Sequence, residues 1–319
     1  MADQVIKPAG TTNPALKRIF DIIQDLFDFI VLIVQMTLEI FKAGVEKIIG
    51  KQLKDVSGEI VLITGSGHGI GRELTLQYVS QYSTVICVDI NEKNNEETMK
   101  KAKALNRGVV HSYICDVTDR DAILQLADKI KREVGPVSVL VNNAGIMPTK
   151  PLEKQSVENI RRTFEINVFA HFWTLEAFLP HMKEQNRGHI IAVSSMCGMV
   201  GMPNLVPYCA SKFAVRGMME ALHNEMHFGP YKNLIKFTVI YPYAVDTGLC
   251  ESVNSRFPSM LAMLDPKYVA EKIIEAHRSD VTNLALPPCM LHLNNWTRLL
   301  PYTAGLLLFD YMNCVIGYK

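Results

Sequence analysis

The sequence has little excess charge and lacks the cysteine spacing of a metal site. Its formal net charge is +1, from 33 Lys and Arg against 32 Asp and Glu, which gives no support for nucleic-acid binding. Its seven cysteines show no C-x-x-C spacing, so we predict neither a zinc site nor a disulfide framework. Reduced and mostly buried thiols are typical of a domain that faces the cytosol. No internal repeat or low-complexity segment is present.

The chain also lacks an uninterrupted apolar run of the roughly 20 residues that a membrane span needs. Residues 19–49 are apolar and free of proline, but their longest uninterrupted run is 29–34. No signal-peptide pattern is present, because acids interrupt the stretch and no small-residue cleavage site follows. The polar side chains recur at helical spacing, at Asp21, Asp25, Asp28, Gln35, Glu39, Lys42 and Glu46. This pattern predicts a helix with a narrow polar stripe and a wide apolar remainder.

An acidic residue at the centre of a membrane costs about 2.5–3.5 kcal/mol. We therefore expect this helix to lie in a membrane interface or to form a re-entrant hairpin. The acidic stripe favours a neutral lipid surface over an anionic one. The alternative is an amphipathic helix packed on the rest of the protein or on a partner. If the segment spans, Lys47, Lys51 and Lys54 favour a cytosolic catalytic domain.

A glycine-rich turn follows the first short apolar run of the central region, residues 60–63. Residues 64–71 read T-G-S-G-H-G-I-G and lead into a helix-like segment. A strand, a glycine turn and a helix start form a cradle for phosphate, because glycines permit close backbone approach and the free amides attract an anion. The G-x-x-x-G-x-G spacing differs from that of the phosphate loop that ends in Lys-Ser/Thr.

The next apolar run, residues 84–88, ends at Asp89. An acid about 20 residues after the glycine turn can accept hydrogen bonds from both hydroxyls of a ribose and repels a 2′-phosphate. Asp89 therefore favours NAD over NADP. The plainer alternative is a solvated acid at a strand end.

Short apolar runs continue to alternate with helix-like segments along the chain. The further predicted strands are 109–115, 137–141, 189–193 and 235–241, and the predicted helices between the strands include 92–105, 119–134 and 157–184. This alternation predicts an α/β fold, a doubly wound, Rossmann-like parallel sheet flanked by helices. Ligands of such sheets bind beyond the carboxyl ends of the strands. Met147, Met196 and Met199 follow two of these ends, where we expect them to line a substrate cavity.

Tyr208 and Lys212 are four residues apart in a helix-like segment, so they share one face. An ammonium group beside a phenol lowers the tyrosine pKa from about 10 toward neutrality, which suits proton transfer to or from an alcohol. Such a pair by itself is usually a solvated helix face. Ser195, at the end of the preceding strand, could orient a substrate oxygen. Asn167 could hold a water behind Lys212, and Thr247 could bond a nicotinamide carboxamide.

These motifs together resemble the short-chain dehydrogenase/reductase family, in its lipid-active form with an extended N-terminus. The sequence reads T-G-x-x-x-G-x-G at 64–71, N-N-A-G at 142–145 and Y-x-x-x-K at 208–212, and the match covers roughly residues 58–300. Residues 58–65, 207–213 and 300–311 further resemble the epidermal retinol dehydrogenases and the lipid-droplet 17-beta-hydroxysteroid dehydrogenases.

The resemblance implies a role for each matched residue. Tyr208 would be the acid/base, Lys212 would lower its pKa and bond the nicotinamide ribose, Ser195 would hold the substrate oxygen, and Asn167 would hold the relay water. The implied NAD-binding residues are Gly65, Gly69, Ile70 and Gly71 at the pyrophosphate, Asp89 at the adenosine ribose, Asp116 at the adenine, and Asn143, Tyr208, Lys212 and Thr247. The chain departs from the family at Pro242-Tyr243, where the family often has Pro-Gly, so Tyr243 adds bulk near Thr247.

The predicted function is hydride transfer between NAD and a lipophilic alcohol or carbonyl, with retinol first. A 17-beta-hydroxysteroid or another lipid alcohol is the alternative. A non-catalytic nucleotide-binding scaffold on lipid surfaces and a soluble carbonyl reductase for small polar substrates are the rivals. We expect a membrane-associating segment at 1–55, a catalytic domain at 56–288 and an apolar segment at 289–319 that lines the substrate pocket, contacts a membrane or fills the core. We also expect a homodimer on the endoplasmic reticulum membrane or on lipid droplets, with its catalytic domain in the cytosol and no metal.

Overall fold

A computed structural model describes residues 14–250, 253–258, 261–313 and 315–316. The outer parts of the two predicted terminal segments, residues 1–13, 314 and 317–319, lie outside the described residues. The chain divides into two compact units, of which the first ends at Gln52 and the second begins at Leu53.

The first unit is built on one long helix, α1, at Pro14–Ile49. The predicted helix is confirmed, and it starts earlier than expected, at a proline whose fixed backbone angle suits a first helical turn. Large apolar side chains of α1 are exposed, among them Phe20, Phe27 and Phe41. Among the helices that the structure describes, none is both long enough and apolar enough to cross a membrane.

The second unit contains a seven-stranded parallel sheet in the order β3-β2-β1-β4-β5-β6-β8. The strands are β1 Ile60–Thr64, β2 Thr84–Asp89, β3 Val109–Ile114, β4 Val139–Asn142, β5 Gly188–Val193, β6 Ile235–Pro242 and β8 Asn283–Leu286. Two further short strands, β7 Val253–Asn254 and β9 Val315–Ile316, pair antiparallel with each other. The strand order reverses between β1 and β4, and doubly wound sheets bind their ligands at such a point.

Helices pack on both faces of the sheet. They are α2 Gly69–Ser80, α3 Glu92–Lys103, α4 Arg120–Glu133, α5 Val157–Phe164, α6 Ala170–Glu184, α7 Val206–Phe228 and α8 Pro266–Arg278, followed by α9 Cys289–Thr297 and α10 Tyr302–Met312. Successive strand residues point to opposite faces. Leu62 accordingly packs in a core with side chains of α4, α6 and α7, whereas Val61 and Ile63 pack in a second core with α2 and α8. The predicted doubly wound fold is confirmed.

The structure differs from the prediction in two places that the sequence pattern does not mark. The predicted helix 157–184 is interrupted, because a π-helical turn at Glu165–Phe169 separates α5 from α6. Such turns place an extra residue in the helix and are frequent at functional sites. The seventh strand, β8, was not predicted, and it extends the sheet beyond β6.

Candidate active site

The glycine turn between β1 and α2 is tight and has no room for side chains at two of its glycines. Gly65 and Gly69 have φ angles of +66° and +53°, in the left-handed region that favours glycine. A Cβ atom on Gly71 would lie 2.1 Å from the carbonyl oxygen of Gly65, and one on Gly69 would lie 2.7 Å from Cγ2 of Thr247. The turn therefore exposes backbone close to the start of α2, as a pyrophosphate cradle requires.

Asn143 connects the end of β4 to this turn. Its Nδ2 atom donates to the carbonyl oxygens of Thr64 at 2.9 Å and Gly65 at 3.1 Å. Its backbone N–H donates to Oγ1 of Thr64 at 3.0 Å. Asn143 thus holds two neighbouring strand ends together below the predicted cofactor position.

Asp89 is the last residue of β2, and Asp116 follows β3. Both residues line one cavity with the glycine turn. Asp89 accepts hydrogen bonds from the backbone N–H groups of Gly67 and Asn91, each at 2.8 Å. Asp116 accepts from both the N–H and the hydroxyl of Thr118 through Oδ1 alone, at 2.9 and 2.8 Å. A carboxylate offers about four lone-pair sites. Both carboxylates therefore keep accepting capacity for a ribose and an adenine, so the residues present fit NAD.

Tyr208 and Lys212 lie on α7 and are both buried, with 6% and 3% of their surfaces exposed. The Nζ atom of Lys212 donates to the carbonyl oxygen of Val193 at 2.8 Å and lies 5.7 Å from the centroid of the Tyr208 ring. Ser195 begins the turn after β5, where its Oγ accepts from the N–H of Cys197 at 3.1 Å. Ser195, Tyr208 and Lys212, three of the four predicted catalytic residues, line one cavity, whereas Asn167 is not among the residues that line it.

The expectation that Lys212 lowers the pKa of Tyr208 is wrong for this arrangement. Burial raises the pKa of Tyr208, the nearby Cys197 adds to that rise, and a hydrogen bond with Ser195 opposes it. Burial also lowers the pKa of Lys212 to about 8, since desolvation disfavours the ammonium form. The lysine donates to the Val193 carbonyl, and burial disfavours the ionised form of the phenol.

Asn167 lies in the π-helical turn and is fully buried. Its Oδ1 accepts from the N–H of Ile146 at 2.9 Å, while its Nδ2 donates to the Ile146 carbonyl and to Oγ of Ser211, both at 3.0 Å. The side chain thus ties the loop after β4 to α7, three residues from Tyr208.

Gly145 lies between Asn167 and Lys212. A Cβ atom there would lie 3.2 Å from Oδ1 of Asn167 and 3.6 Å from Nζ of Lys212. An amide oxygen accepts two hydrogen bonds, and Oδ1 of Asn167 makes one within the chain. The role of Asn167 in holding a relay water stays a prediction. It requires the water to occupy the narrow space beside Gly145, between Oδ1 of Asn167 and Nζ of Lys212.

The cavity has a volume of about 1440 Å³ and extends from the glycine turn to the C-terminal helices. Met147, Met196 and Met199 line it, as predicted from their positions after β4 and β5. Leu293, Leu306 and Phe309 of α9 and α10 line it too. The predicted apolar C-terminal segment therefore contributes to the wall of the cavity.

Thr247 and Tyr243 lie where the sequence places them, beyond β6, and both line the cavity. Thr247 contacts the glycine turn through its methyl group, so it can reach a group bound there. Sequence reasoning missed Arg298, which lines the cavity and donates from Nη2 to the carbonyl oxygen of Met199 at 2.7 Å. No motif marks this arginine, because its contact joins residues 99 positions apart.

The family description "short chain dehydrogenase" matches residues 59–257 of this chain. The chain belongs to the short-chain dehydrogenase family. This short-chain dehydrogenase is 39% identical to epidermal retinol dehydrogenase 2 of Homo sapiens, over 86% of this chain and 88% of that protein. It is 37% identical to estradiol 17-beta-dehydrogenase 11 of Homo sapiens, over 92% of this chain and 98% of the relative.

A third relative, 17-beta-hydroxysteroid dehydrogenase 13 of Homo sapiens, is 34% identical over 92% of this short-chain dehydrogenase and 98% of that protein. Among solved structures, the fold is similar to that of a short chain dehydrogenase/reductase from Burkholderia phymatum in complex with NAD. That likeness has a TM-score of 0.68 at 24% identity and covers 76% of this chain and 94% of the other. The predicted family, fold and dehydrogenase class are confirmed.

Proposed function

We propose that this chain is an NAD-dependent dehydrogenase that interconverts an alcohol and a carbonyl group on a lipophilic molecule, with retinol as the first candidate. The observation that carries the proposal is one cavity lined by the glycine turn, Asp89, Ser195, Tyr208 and Lys212. The glycine turn and Asp89 are the features that a dinucleotide requires, and Tyr208 with Lys212 is what proton transfer by a tyrosine requires.

Ser195 and Tyr208 hold the substrate oxygen between them and position its proton for transfer. NAD, when bound, would supply the hydride acceptor and a positive charge in the site. That charge opposes the burial that raises the pKa of Tyr208. In the oxidising direction the Tyr208 oxygen accepts the substrate hydroxyl proton, and in the reducing direction it returns a proton to the carbonyl oxygen. Acid/base help of this kind contributes about 10²–10⁴-fold.

Lys212 would hold the ribose of the cofactor. It would also pass a proton between Tyr208 and a water in the space beside Gly145. Its pKa, lowered to about 8 by burial, lets the ammonium group lose and regain a proton near neutral pH. Asn167 fixes the far side of that space through Oδ1. The relay then runs from Tyr208 through Lys212 toward solvent.

Asp89 determines the preference for NAD over NADP. Its carboxylate is anchored by two backbone N–H groups, so it cannot readily turn away from the ribose. A 2′-phosphate at that position would meet a fixed negative charge.

The lipophilic substrate class rests on the methionine and leucine side chains that line the cavity beyond Tyr208. Retinol is the first candidate because a relative that is 39% identical is named a retinol dehydrogenase. A 17-beta-hydroxysteroid is the second, because two further relatives are named for that activity. Oxidation of retinol, estradiol and a long-chain fatty alcohol with NAD, measured side by side on purified membranes, ranks the three. If none of the three alcohols is oxidised, a non-catalytic nucleotide-binding scaffold replaces the enzyme as the proposed function.

We further propose that α1 holds the enzyme on a neutral lipid surface, at the endoplasmic reticulum membrane or a lipid droplet, as a homodimer with its catalytic domain in the cytosol. Support comes from the exposed apolar side chains of a 36-residue helix with a narrow polar stripe. Deletion of residues 1–50 should move the protein from the membrane and droplet fractions to the soluble fraction. An intact chain that is already soluble would exclude this anchoring.

A further inference from the structure

Three cysteines surround the catalytic tyrosine, and the proposed reaction uses none of them. Cys197 follows Ser195 in the turn after β5, Cys209 follows Tyr208 on α7, and Cys250 lies in the loop after β6. All three are 7% exposed, pack in one apolar cluster with Tyr208, and line the cavity. They come from three different segments, and a bond between Cys197 and Cys209 would tether the two segments that carry Ser195 and Tyr208.

Cys197 and Cys209 differ in their affinity for a proton. The thiol of Cys197 donates toward Cys209, and the backbone N–H of Met202 donates to Sγ of Cys209 at 3.3 Å. The donation from Cys197 lowers the pKa of Cys209 below its ordinary value in spite of its burial. The same hydrogen bond, with burial, raises the pKa of Cys197 well above its ordinary value. One sulfur is therefore ready to ionise while its neighbour keeps its proton.

This pairing is what a peroxide-sensitive dithiol needs, because a thiolate attacks and a second thiol resolves the product. Cys87 and Cys115 lack it. Burial raises the pKa of Cys87 to about 12 and that of Cys115 to about 11. Cys87 is enclosed in the core and does not line the cavity. The cavity gives a small lipophilic molecule a route to Cys209 that Cys87 does not have.

We propose that Cys209 and Cys197 are an oxidation site for organic hydroperoxides, which convert the two thiols to a disulfide beside Tyr208. In the first step the Cys209 sulfur attacks the terminal oxygen of the hydroperoxide. An S–O bond forms, the O–O bond breaks, the alcohol leaves after taking a proton from solvent, and Cys209 becomes a sulfenic acid. In the second step the Cys197 sulfur attacks that sulfur. The S–S bond forms and the hydroxyl leaves as water with the Cys197 proton.

The disulfide would draw the turn after Ser195 and the start of α7 together. A displacement of about 1 Å in a catalytic site can cost about 10²-fold in rate. We expect turnover to fall about 10- to 100-fold and to recover on reduction. The loss of turnover rests on the proposed function, whereas the disulfide itself does not.

The test treats the reduced full-length chain with cumene hydroperoxide, blocks the remaining thiols and maps disulfides by peptide mass spectrometry. The expected product is a Cys197–Cys209 cross-link that dithiothreitol removes, with turnover lost and regained in parallel. The Cys209→Ser and Cys197→Ser variants should form no cross-link. After oxidant treatment, each should retain the turnover that it showed before treatment. Cys289→Ser removes an exposed thiol and should behave like wild type.

A cross-link between other cysteines, or no disulfide in wild type and Cys289→Ser alike, would overturn the proposal. A Cys197–Cys209 cross-link in a chain that oxidises none of the lipid alcohols would leave the dithiol standing and reject the proposed function instead. The mass-spectrometric readout on wild type does not depend on whether a serine variant folds.

Discussion

Lys212 donates a hydrogen bond to the carbonyl oxygen of Val193 at 2.8 Å, so the lysine of the Y-x-x-x-K motif is fastened to the end of β5. The same β5 leads directly to Ser195. The contact places the ammonium group 5.7 Å from the centre of the Tyr208 ring. The backbone carbonyl, and not the tyrosine, is therefore the partner of the buried charge within the chain.

Burial of Lys212 predicts that stability rises with pH. The pKa of Lys212 is lowered to about 8 from its ordinary 10.5. Between these values the unfolded chain binds a proton that the folded chain does not, so unfolding becomes harder as pH rises. Urea unfolding of wild type and Lys212→Met should diverge from about pH 8 to pH 10, with wild type gaining up to roughly 3 kcal/mol relative to the variant. Parallel curves would show that Lys212 is not desolvated.

Asp89 should determine cofactor choice. Asp89→Asn removes the negative charge and keeps an acceptor oxygen for only one of the two N–H groups, since Gly67 and Asn91 bond different oxygens of Asp89. Because hydrogen bonds to a charged group contribute about 1.5–3 kcal/mol each, we expect KM for NAD to rise about 10- to 100-fold while NADP becomes a better substrate relative to NAD. Steady-state kinetics with both cofactors measure the ratio. A wild-type enzyme that strongly prefers NADPH would overturn the role of Asp89.

The glycine turn should tolerate no side chain at Gly71. A Cβ atom there would meet the Gly65 carbonyl oxygen at 2.1 Å, whereas one on Gly217, a glycine of α7, meets nothing within 4 Å. Gly71→Ala should abolish binding of the reduced cofactor, NADH, measured by its fluorescence. Gly217→Ala should bind NADH normally and unfold at the same or a slightly higher temperature, since alanine favours a helix by about 0.5–1 kcal/mol over glycine. Normal NADH affinity in Gly71→Ala would exclude the proposed cradle.

Asn167 should contribute more to stability than its partner Ser211. Asn167→Ala leaves both backbone groups of Ile146 without their side-chain partner, and each unmet buried group costs about 1–3 kcal/mol. Ser211→Ala removes one of the three hydrogen bonds of Asn167. Denaturant unfolding should therefore show a larger loss for Asn167→Ala. Equal losses of stability would show that Asn167 stabilises the fold through its hydrogen bond with Ser211 and not through its two hydrogen bonds with Ile146.

The parts of the fold that follow from local pattern were accessible from the sequence. The runs that became β1, β2 and β5 are buried on both faces and read as continuous apolar segments. The turn at Gly65 was visible because its positive φ angle favours glycine. The π-helical turn at Glu165–Phe169 was not, because its residues fit a regular helix equally well.

Contacts between distant residues account for what the sequence left out. The partner of Lys212 is a backbone carbonyl, which no side-chain pattern can mark. The proximity of Cys197, Cys209 and Cys250 depends on how three segments meet around Tyr208. The sign of the tyrosine pKa shift also depends on this meeting, because burial decides it.

Tyr208→Phe tests the proton-transfer role most directly, with Tyr241→Phe as the matched control. Tyr241 is a buried tyrosine of β6. Its hydroxyl donates to Oδ1 of Asn283 at 3.1 Å, and its side chain does not line the cavity. We predict that Tyr208→Phe binds NAD with wild-type affinity but oxidises retinol, or whichever lipid alcohol the wild type turns over, about 10²–10⁴-fold more slowly, while Tyr241→Phe keeps its rate. Oxidation by Tyr208→Phe at the wild-type rate with NAD bound would contradict the mechanism.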